Sequence, residues 1–297
     1  MDRRKVCSIC ESSSGEIVFE MAYDSDAMLS YFSDQFIGEV DIEHLSGEHF
    51  SIRYCGDCDF YWHDNILDEE GLVILYDEWL SAETHISRRD VWSHHEHHVK
   101  RASSIRSYFD KPPGDVKVLD YGMGWGSFLL AANAFGCDVY GYDLAPERRE
   151  YVANRGIEVY ESYEGIMEND YDLIHLNQVL EHVADPNEVM ELISNSLDSE
   201  GICYIEVPAA REQPTEKNVL KQGSYKPLQH INTFTRNSLK KLGDKHGLSL
   251  TYVPQSLVQW VPLHLDEIVK NLLIQTGAIK LLERFRDHHT GCFFIQS

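Results

Sequence analysis

Val118-Leu119-Asp120-Tyr121-Gly122-Met123-Gly124-Trp125-Gly126-Ser127 is the stretch on which the reading of this chain turns. An apolar run of strand type ends in an acid, and three alternating glycines follow at once. Lacking a Cβ, these positions let the chain turn sharply and bring its backbone within contact distance of a ligand. A helix beginning near Gly126 aims its free N–H groups and positive dipole end at the same crevice, which favours an anionic or carboxylate-bearing ligand. The next apolar run, Val139-Tyr140-Gly141-Tyr142-Asp143, closes on an acid about 20 residues further on, a position suited to gripping ribose hydroxyls. The stretch predicts a nucleotide-type cofactor site. Dinucleotides are disfavoured, because the G-x-G-x-x-G fingerprint needs glycine where the chain has Ser127.

Further segments follow in order. Tyr171-Asp172-Leu173-Ile174-His175-Leu176-Asn177 is strand-like and leads into Gln178-Val179-Leu180-Glu181-His182-Val183-Ala184-Asp185-Pro186. Gly201 to Pro208 reads as another strand, and His230-Ile231-Asn232-Thr233-Phe234-Thr235 introduces a helix ending at His246-Gly247. With Asp-x-Gly-x-Gly-x-Gly at the start, this series resembles the class I S-adenosylmethionine-dependent methyltransferases over about residues 112 to 256. The resemblance implies a seven-stranded, mostly parallel, doubly wound Rossmann-like sheet with S-adenosylmethionine as cofactor. It also implies a set of cofactor-binding residues: Asp120, Gly122, Gly124, Gly126, Asp143, Leu144, Ser162, Asn177 and Gln178. In that frame Glu161, Ser162 and Tyr163 occupy the adenine-facing region, and Glu181 caps a helix opening near Asp185 or lines the pocket.

Composition narrows the partners. The formal charge is −23, and residues 1 to 80 hold 19 acidic against 4 basic residues, a difference of −15. Such a surface repels phosphate backbones, so a nucleic-acid partner is not expected. The longest apolar stretches, such as Gly71-Leu72-Val73-Ile74-Leu75-Tyr76, fall far short of the roughly 20 residues a bilayer span requires. No membrane association is expected. The basic residues after Met1 run straight into Cys7 with no apolar region behind them, unlike a secretory signal, so a cytoplasmic location and a monomer or homodimer are anticipated.

Four of the seven cysteines form two knuckles, Cys7-Ser8-Ile9-Cys10 and Cys55-Gly56-Asp57-Cys58. Two knuckles supply four thiolates, a set that closes a tetrahedral structural Zn²⁺ site. A redox pair or free thiols are the alternative, but redox C-x-x-C sites normally sit beside a βαβ unit, and none is evident here. Cys137, Cys203 and Cys292 lie in or beside strand-like runs and read as small buried apolar residues. A zinc-knuckle module ahead of a methyltransferase domain resembles the sugar C-methyltransferases and related small-molecule methyltransferases of polysaccharide or natural-product biosynthesis. Those C-methyltransferases typically carry a further C-terminal α/β domain, no counterpart of which is expected in this sequence.

The expected organisation is a zinc-binding module over 1–80, a helical linker or lid over 81–111, and a methyltransferase domain over 112–297. Lys111-Pro112-Pro113-Gly114 marks the boundary. Strands at Val116–Asp120, Asp138–Asp143 and Ile157–Tyr160 alternate with helices at Gly126–Phe135 and Pro146–Arg155, the βαβ rhythm of a parallel sheet. A helical insertion at about 260–290 separates a strand at Leu248–Val253 from a last one near Cys292–Gln296.

Methyl transfer from a sulfonium needs acceptor and methyl held close together and a proton removed from the acceptor. Histidine, ionising near neutrality, suits the second task. His182 and His230 are the candidates, with Tyr225 assisting. The sugar C-methyltransferases carry a Tyr-x-Glu-His segment; here His230 matches its histidine, Gln229 replaces the glutamate and Tyr225 is displaced. The expected function is methyl transfer to carbon or oxygen of a small, sugar- or nucleotide-sugar-derived acceptor. The alternative is an inactive relative acting as a cofactor-binding or complex-forming partner, which the uncharged Gln229 favours. The run His94-His95-Glu96-His97-His98, with His85 upstream, reads chiefly as a solvent-facing lid helix.

Overall fold

The computed structural model describes residues 1–36, 40, 42–75, 79, 92–251 and 289–296. They form two compact units. The first comprises Met1–Val91, Leu180–Glu188 and Pro208–Leu242; the second comprises Trp92–Val179, Val189–Val207 and Gly243–Ser297. The chain was expected to divide at 80 and 111, whereas these units are assembled from discontinuous segments. Residues 180–188 and 208–242, inside the expected methyltransferase domain, pack with the N-terminal unit. The expected insertion at about 260–290 lies almost wholly outside the described residues, as do residues 81–91.

In the first unit, β1 (Glu16–Ala22), β2 (His49–Cys55) and β3 (Phe60–His63) form an antiparallel meander. Cys55 pairs with Phe60 across the β2–β3 hairpin, so the second cysteine knuckle is the hairpin's turn. Helix α1 (Asp26–Gln35) starts where the Ser25 hydroxyl accepts the Met28 N–H at 3.4 Å, a side-chain cap for an otherwise unpaired donor. It buries Met28 and Phe32 against Phe19, Tyr23, Phe50 and Ile52.

The second unit begins earlier than the expected boundary. Helix α2 (Trp92–Arg106), assigned from sequence to a linker or lid, turns Ala102 and Ile105 into this unit's core. There follow β4 (Lys117–Tyr121), α3 (Ser127–Ala134), β5 (Asp138–Tyr142), α4 (Pro146–Ala153), β6 (Glu158–Tyr160), α5 (Tyr163–Met167), β7 (Tyr171–Asn177), α6 (Pro186–Ser196) and β8 (Leu197–Pro208). Next come β9 (Asn232–Thr233), which belongs to the first unit as the fourth strand of its sheet, and helix α7 (Arg236–Lys245). The chain finishes with β10 (Leu248–Thr251) and β11 (His289–Gln296).

The seven strands of the second unit lie in the order β10-β11-β8-β7-β4-β5-β6. The five from β8 to β6 are parallel, and β10 pairs antiparallel with β11, Leu248 opposite Gln296. This is the doubly wound, mostly parallel Rossmann-like sheet expected. Strand order reverses at β4, whose neighbours β5 and β7 come from opposite directions of the winding, and ligands of such sheets sit beyond the carboxyl ends at that point. Strands buried on both faces read as continuous apolar runs, as Val118, Leu119, Leu173, Ile174, Ile202 and Ile205 do here.

Candidate functional site

The loop after β4 is held by its neighbour strand: the N–H groups of Gly122 and Met123 donate to the Tyr142 carbonyl at 2.8 and 3.0 Å. Gly124 has φ +55°, and a Cβ there would meet nothing within 4 Å, so the backbone faces open space. Gly126 caps α3 in the left-handed region at φ +73°, where a Cβ would come within 2.7 Å of Val152. The cradle is thus lined by bare backbone at the amino end of a helix, as a close-lying polar ligand requires.

Asp143 closes this cradle. Its Oδ2 accepts the Gly124 N–H at 2.8 Å and its Oδ1 the Ala145 N–H at 3.0 Å, with Arg148 Nη1 3.5 Å away. A carboxylate has about four acceptor sites, so two bonds leave capacity for ribose hydroxyls. Leu144 beside it is 80% exposed, an unusual setting for a leucine. Ser162 is exposed at the head of α5, and its hydroxyl bonds Glu164, lowering that carboxyl's pKa. Tyr121 and Tyr163 join hydroxyls at 2.9 Å between Tyr142 and this edge. At the end of β7, Asn177 keeps a buried Oδ1 without a hydrogen-bond partner among the described residues. Gln178 adopts φ +59° and donates its N–H to the Glu206 carbonyl at 2.8 Å.

Asp120 departs from expectation. Its carboxylate is 3% exposed and turned to His175, Oδ1 lying 2.7 Å from Nδ1, so it shapes the loop from beneath and offers no open face. His175 is itself stacked on Phe128 at 3.8 Å and on Tyr204 at 5.4 Å. Arg101 of α2 reaches His175 Nε2 at 3.5 Å and pairs with Glu206, which also accepts the Tyr204 hydroxyl. Sequence reasoning missed this buried set; the one visible signal was a histidine within an otherwise apolar strand.

In the first unit, the predicted cysteines converge. One ligand atom each from Cys7, Cys10, Cys55 and Cys58 lies within 4.8 Å of all the others, and Cys10 and Cys55 Sγ are 3.8 Å apart. Four sulfurs about 2.3 Å from one tetrahedral ion would stand about 3.8 Å apart, so the donor set suits Zn²⁺. Burial pushes the Cys7 thiol up to about 11, against the backbone N–H groups of Cys10 and Ile9, and raises Cys58 well beyond the thiol range. At Cys10 burial acts in the same direction but is outweighed by the Ser12 N–H and the neighbouring thiols, and the pKa falls. Four crowded thiols resist ionising together, and a cation among them removes that penalty.

His182 and His230 also meet, their rings 4.9 Å apart and nearly perpendicular. His182 Nδ1 donates to the Gln229 carbonyl at 2.9 Å, and Nε2 faces Glu181 Oε1 at 3.9 Å. Glu181 is 1% exposed within this group, while Asp185 caps α6 by accepting the Asn187 N–H at 2.9 Å. His230 is 4% exposed; burial first, then His182 and Lys226, holds its pKa well below the usual histidine value. Tyr225 is placed differently from expectation. It is fully buried among apolar residues, edge-on to Tyr61 at 5.7 Å, and its hydroxyl donates to the Glu212 carbonyl at 3.1 Å. Of the histidine run, His97 lies 2.7 Å from Arg101 and His98 is buried; His85 and the side chain of His94 lie outside the described residues.

Comparison with known proteins adds four findings. A family model described as "Methyltransferase domain" matches residues 92–253. The C-methyltransferase NovU of Streptomyces niveus is 26% identical over 59% of this chain and 45% of its own length, so the match spans under half of that relative. Among solved structures, the plantazolicin methyltransferase BamL, in complex with a triazolic desmethylPZN analog and SAH, has TM-score 0.48 and 16% identity, covering 72% of this chain and 89% of that one. A SAM-dependent methyltransferase from Archaeoglobus fulgidus has TM-score 0.43 and 18% identity, covering 66% and 92%.

Proposed function

The chain belongs to the methyltransferase-domain family, whose model covers more than half of it, and we propose that it moves a methyl group from S-adenosylmethionine to carbon or oxygen of a small, sugar- or nucleotide-sugar-derived acceptor. The observation that carries the donor assignment is Asp143, locked across the Gly124 N–H at the switch point of the sheet with acceptor capacity to spare. S-adenosylmethionine, when bound, supplies an electrophilic methyl on a sulfonium. Asp143 would take the ribose hydroxyls, bare backbone at Gly122, Gly124 and Gly126 would admit the ligand closely, and Leu144, Ser162, Asn177 and Gln178 would border it. Asp120 would act indirectly, through His175.

On the acceptor side, the neutral ring of His230 would take the proton lost from the acceptor, and His182 would orient it. Tyr225, its hydroxyl spent on a carbonyl, would serve packing instead. The C-methyltransferase NovU favours carbon as the methylated atom. The four cysteines would hold a structural Zn²⁺, which supplies fold stability and no chemistry.

Calorimetry with S-adenosylhomocysteine, followed by a methyl-transfer screen over nucleotide-linked keto-sugars, tests the reading. Micromolar binding together with turnover of one such acceptor is expected; no binding would overturn it. A second reading, a cofactor-binding partner without turnover, draws on Gln229, which contributes only its backbone carbonyl to His182 and no charge to the pair. Binding with no transfer across the screen would favour it.

A further inference from the structure

We propose that Glu181, His182 and His230 form a second cation site, distinct from the four cysteines, that takes a divalent transition-metal ion through one carboxylate oxygen and two imidazole nitrogens. One ligand atom from each lies within 4.8 Å of the other two. The 3.9 Å between Glu181 Oε1 and His182 Nε2 is too long for a hydrogen bond. It is short enough to be bridged by one ion whose ligand bonds are about 2.0–2.2 Å.

The two rings are oriented for the task. A carbonyl oxygen only accepts, so the contact with Gln229 fixes the His182 proton on Nδ1 and leaves the Nε2 lone pair facing Glu181. Metal-binding histidines are commonly held in this way, with the second ring nitrogen donating to a backbone carbonyl. His230 is positioned alike: its ring bonds the backbone of Gly223, and Nδ1 is buried with no hydrogen-bond partner among the described residues. Two imidazoles beside one carboxylate select Zn²⁺, Co²⁺, Ni²⁺ or Fe²⁺ over Mg²⁺ or Ca²⁺, which prefer all-oxygen shells. Three protein donors leave at least one coordination position open.

Ligation and proton transfer compete for the same nitrogen, because an imidazole bonded to a metal through its lone pair cannot accept a proton there. Occupation of this site would therefore switch off methyl transfer. That consequence rests on the reading of His230 as the base, whereas the binding itself does not.

The test uses the full-length protein with its cysteine-bound metal in place, titrated with Co²⁺ under equilibrium dialysis and followed by absorption. A second equivalent is expected, with ligand-field bands but no thiolate-to-cobalt charge-transfer band. Glu181→Gln and His230→Asn, each checked by thermal melting, should weaken it by at least about tenfold. A total metal content that stays at the one cysteine-bound equivalent would overturn the site, as would a second equivalent that both variants bind unchanged or that carries the thiolate band. Methyl transfer measured along the same titration separates the two ideas. Inhibition in step with occupancy, reversed by a chelator that leaves the cysteine-bound metal in place, supports both; occupancy without inhibition keeps the site and removes His230 as the base.

Discussion

Asp143 is the residue on which donor binding turns, and its two backbone bonds make its role measurable. Replacing it with alanine removes charged acceptors from both the ligand and the Gly124 loop, and S-adenosylhomocysteine affinity should fall by about 1–3 kcal/mol in calorimetry. His230→Asn should leave that affinity unchanged and lower the turnover number by about 10²–10⁴-fold, the usual contribution of a proton acceptor. His63 makes a different, pH-dependent prediction. It is buried edge-on to Phe50 at 4.8 Å, and both ring nitrogens lack hydrogen-bond partners among the described residues. Burial, then the charge of Arg4, pushes its pKa down to about 3 from 6.5. Between those values the unfolded chain binds the proton and the folded chain does not. The stabilisation of the neutral ring is thus present above about pH 6.5 and lost as pH falls toward 3. Denaturation midpoints measured at pH 7 and 5 should converge in His63→Phe relative to the parent chain.

At the scale of elements, most of what the sequence implied is present, and the misses have physical causes. The apolar run ending at Asp120 is β4, the three glycines lead to α3, and Asp143 follows β5 directly. These were legible because glycine spacing and strand periodicity are local properties. The Asp120–His175 pair was not, because it depends on β4 lying beside β7 with Asp120 opposite His175, a register fixed by packing between segments 55 residues apart. Arg101 was hidden for a similar reason, since the histidine-rich helix looks solvated until α2 is seen turning Ala102 and Ile105 inward. The setting of Tyr225 was hidden because a hydroxyl within a polar loop gives no sign that its partner is a backbone carbonyl. The start of α3 is testable in the same terms. Gly126→Ala combines a left-handed φ with the approach to Val152 and should destabilise the fold by about 1–3 kcal/mol, read as a lower urea midpoint.

Across the whole molecule, the four cysteines come from chain positions 7 to 58 yet close on one point, so metal removal should be felt well beyond the two knuckles. About one equivalent of zinc is expected by elemental analysis, and Cys58→Ser or exhaustive chelation should lower both the zinc content and the thermal midpoint. A midpoint unmoved by chelation would exclude a structural role. Among the described residues no helix is long and apolar enough to cross a membrane. The pairing of the cysteine knuckles was readable from spacing alone, but the discontinuous make-up of the units was not, because it arises from contacts between distant segments.

That make-up has a consequence for how the protein is made. The N-terminal unit is closed by Arg4, whose guanidinium reaches the carbonyls of Ala184 and Ile231 and the Asn232 side chain, and by β9 adding to the edge of β3. During synthesis the first 91 residues therefore emerge as an unfinished sheet with an exposed edge strand, and wait for some 140 further residues before their last strand arrives. A segment made early is completed late, and a ribosome pausing ahead of residue 232 would display that open edge for as long as it stalls.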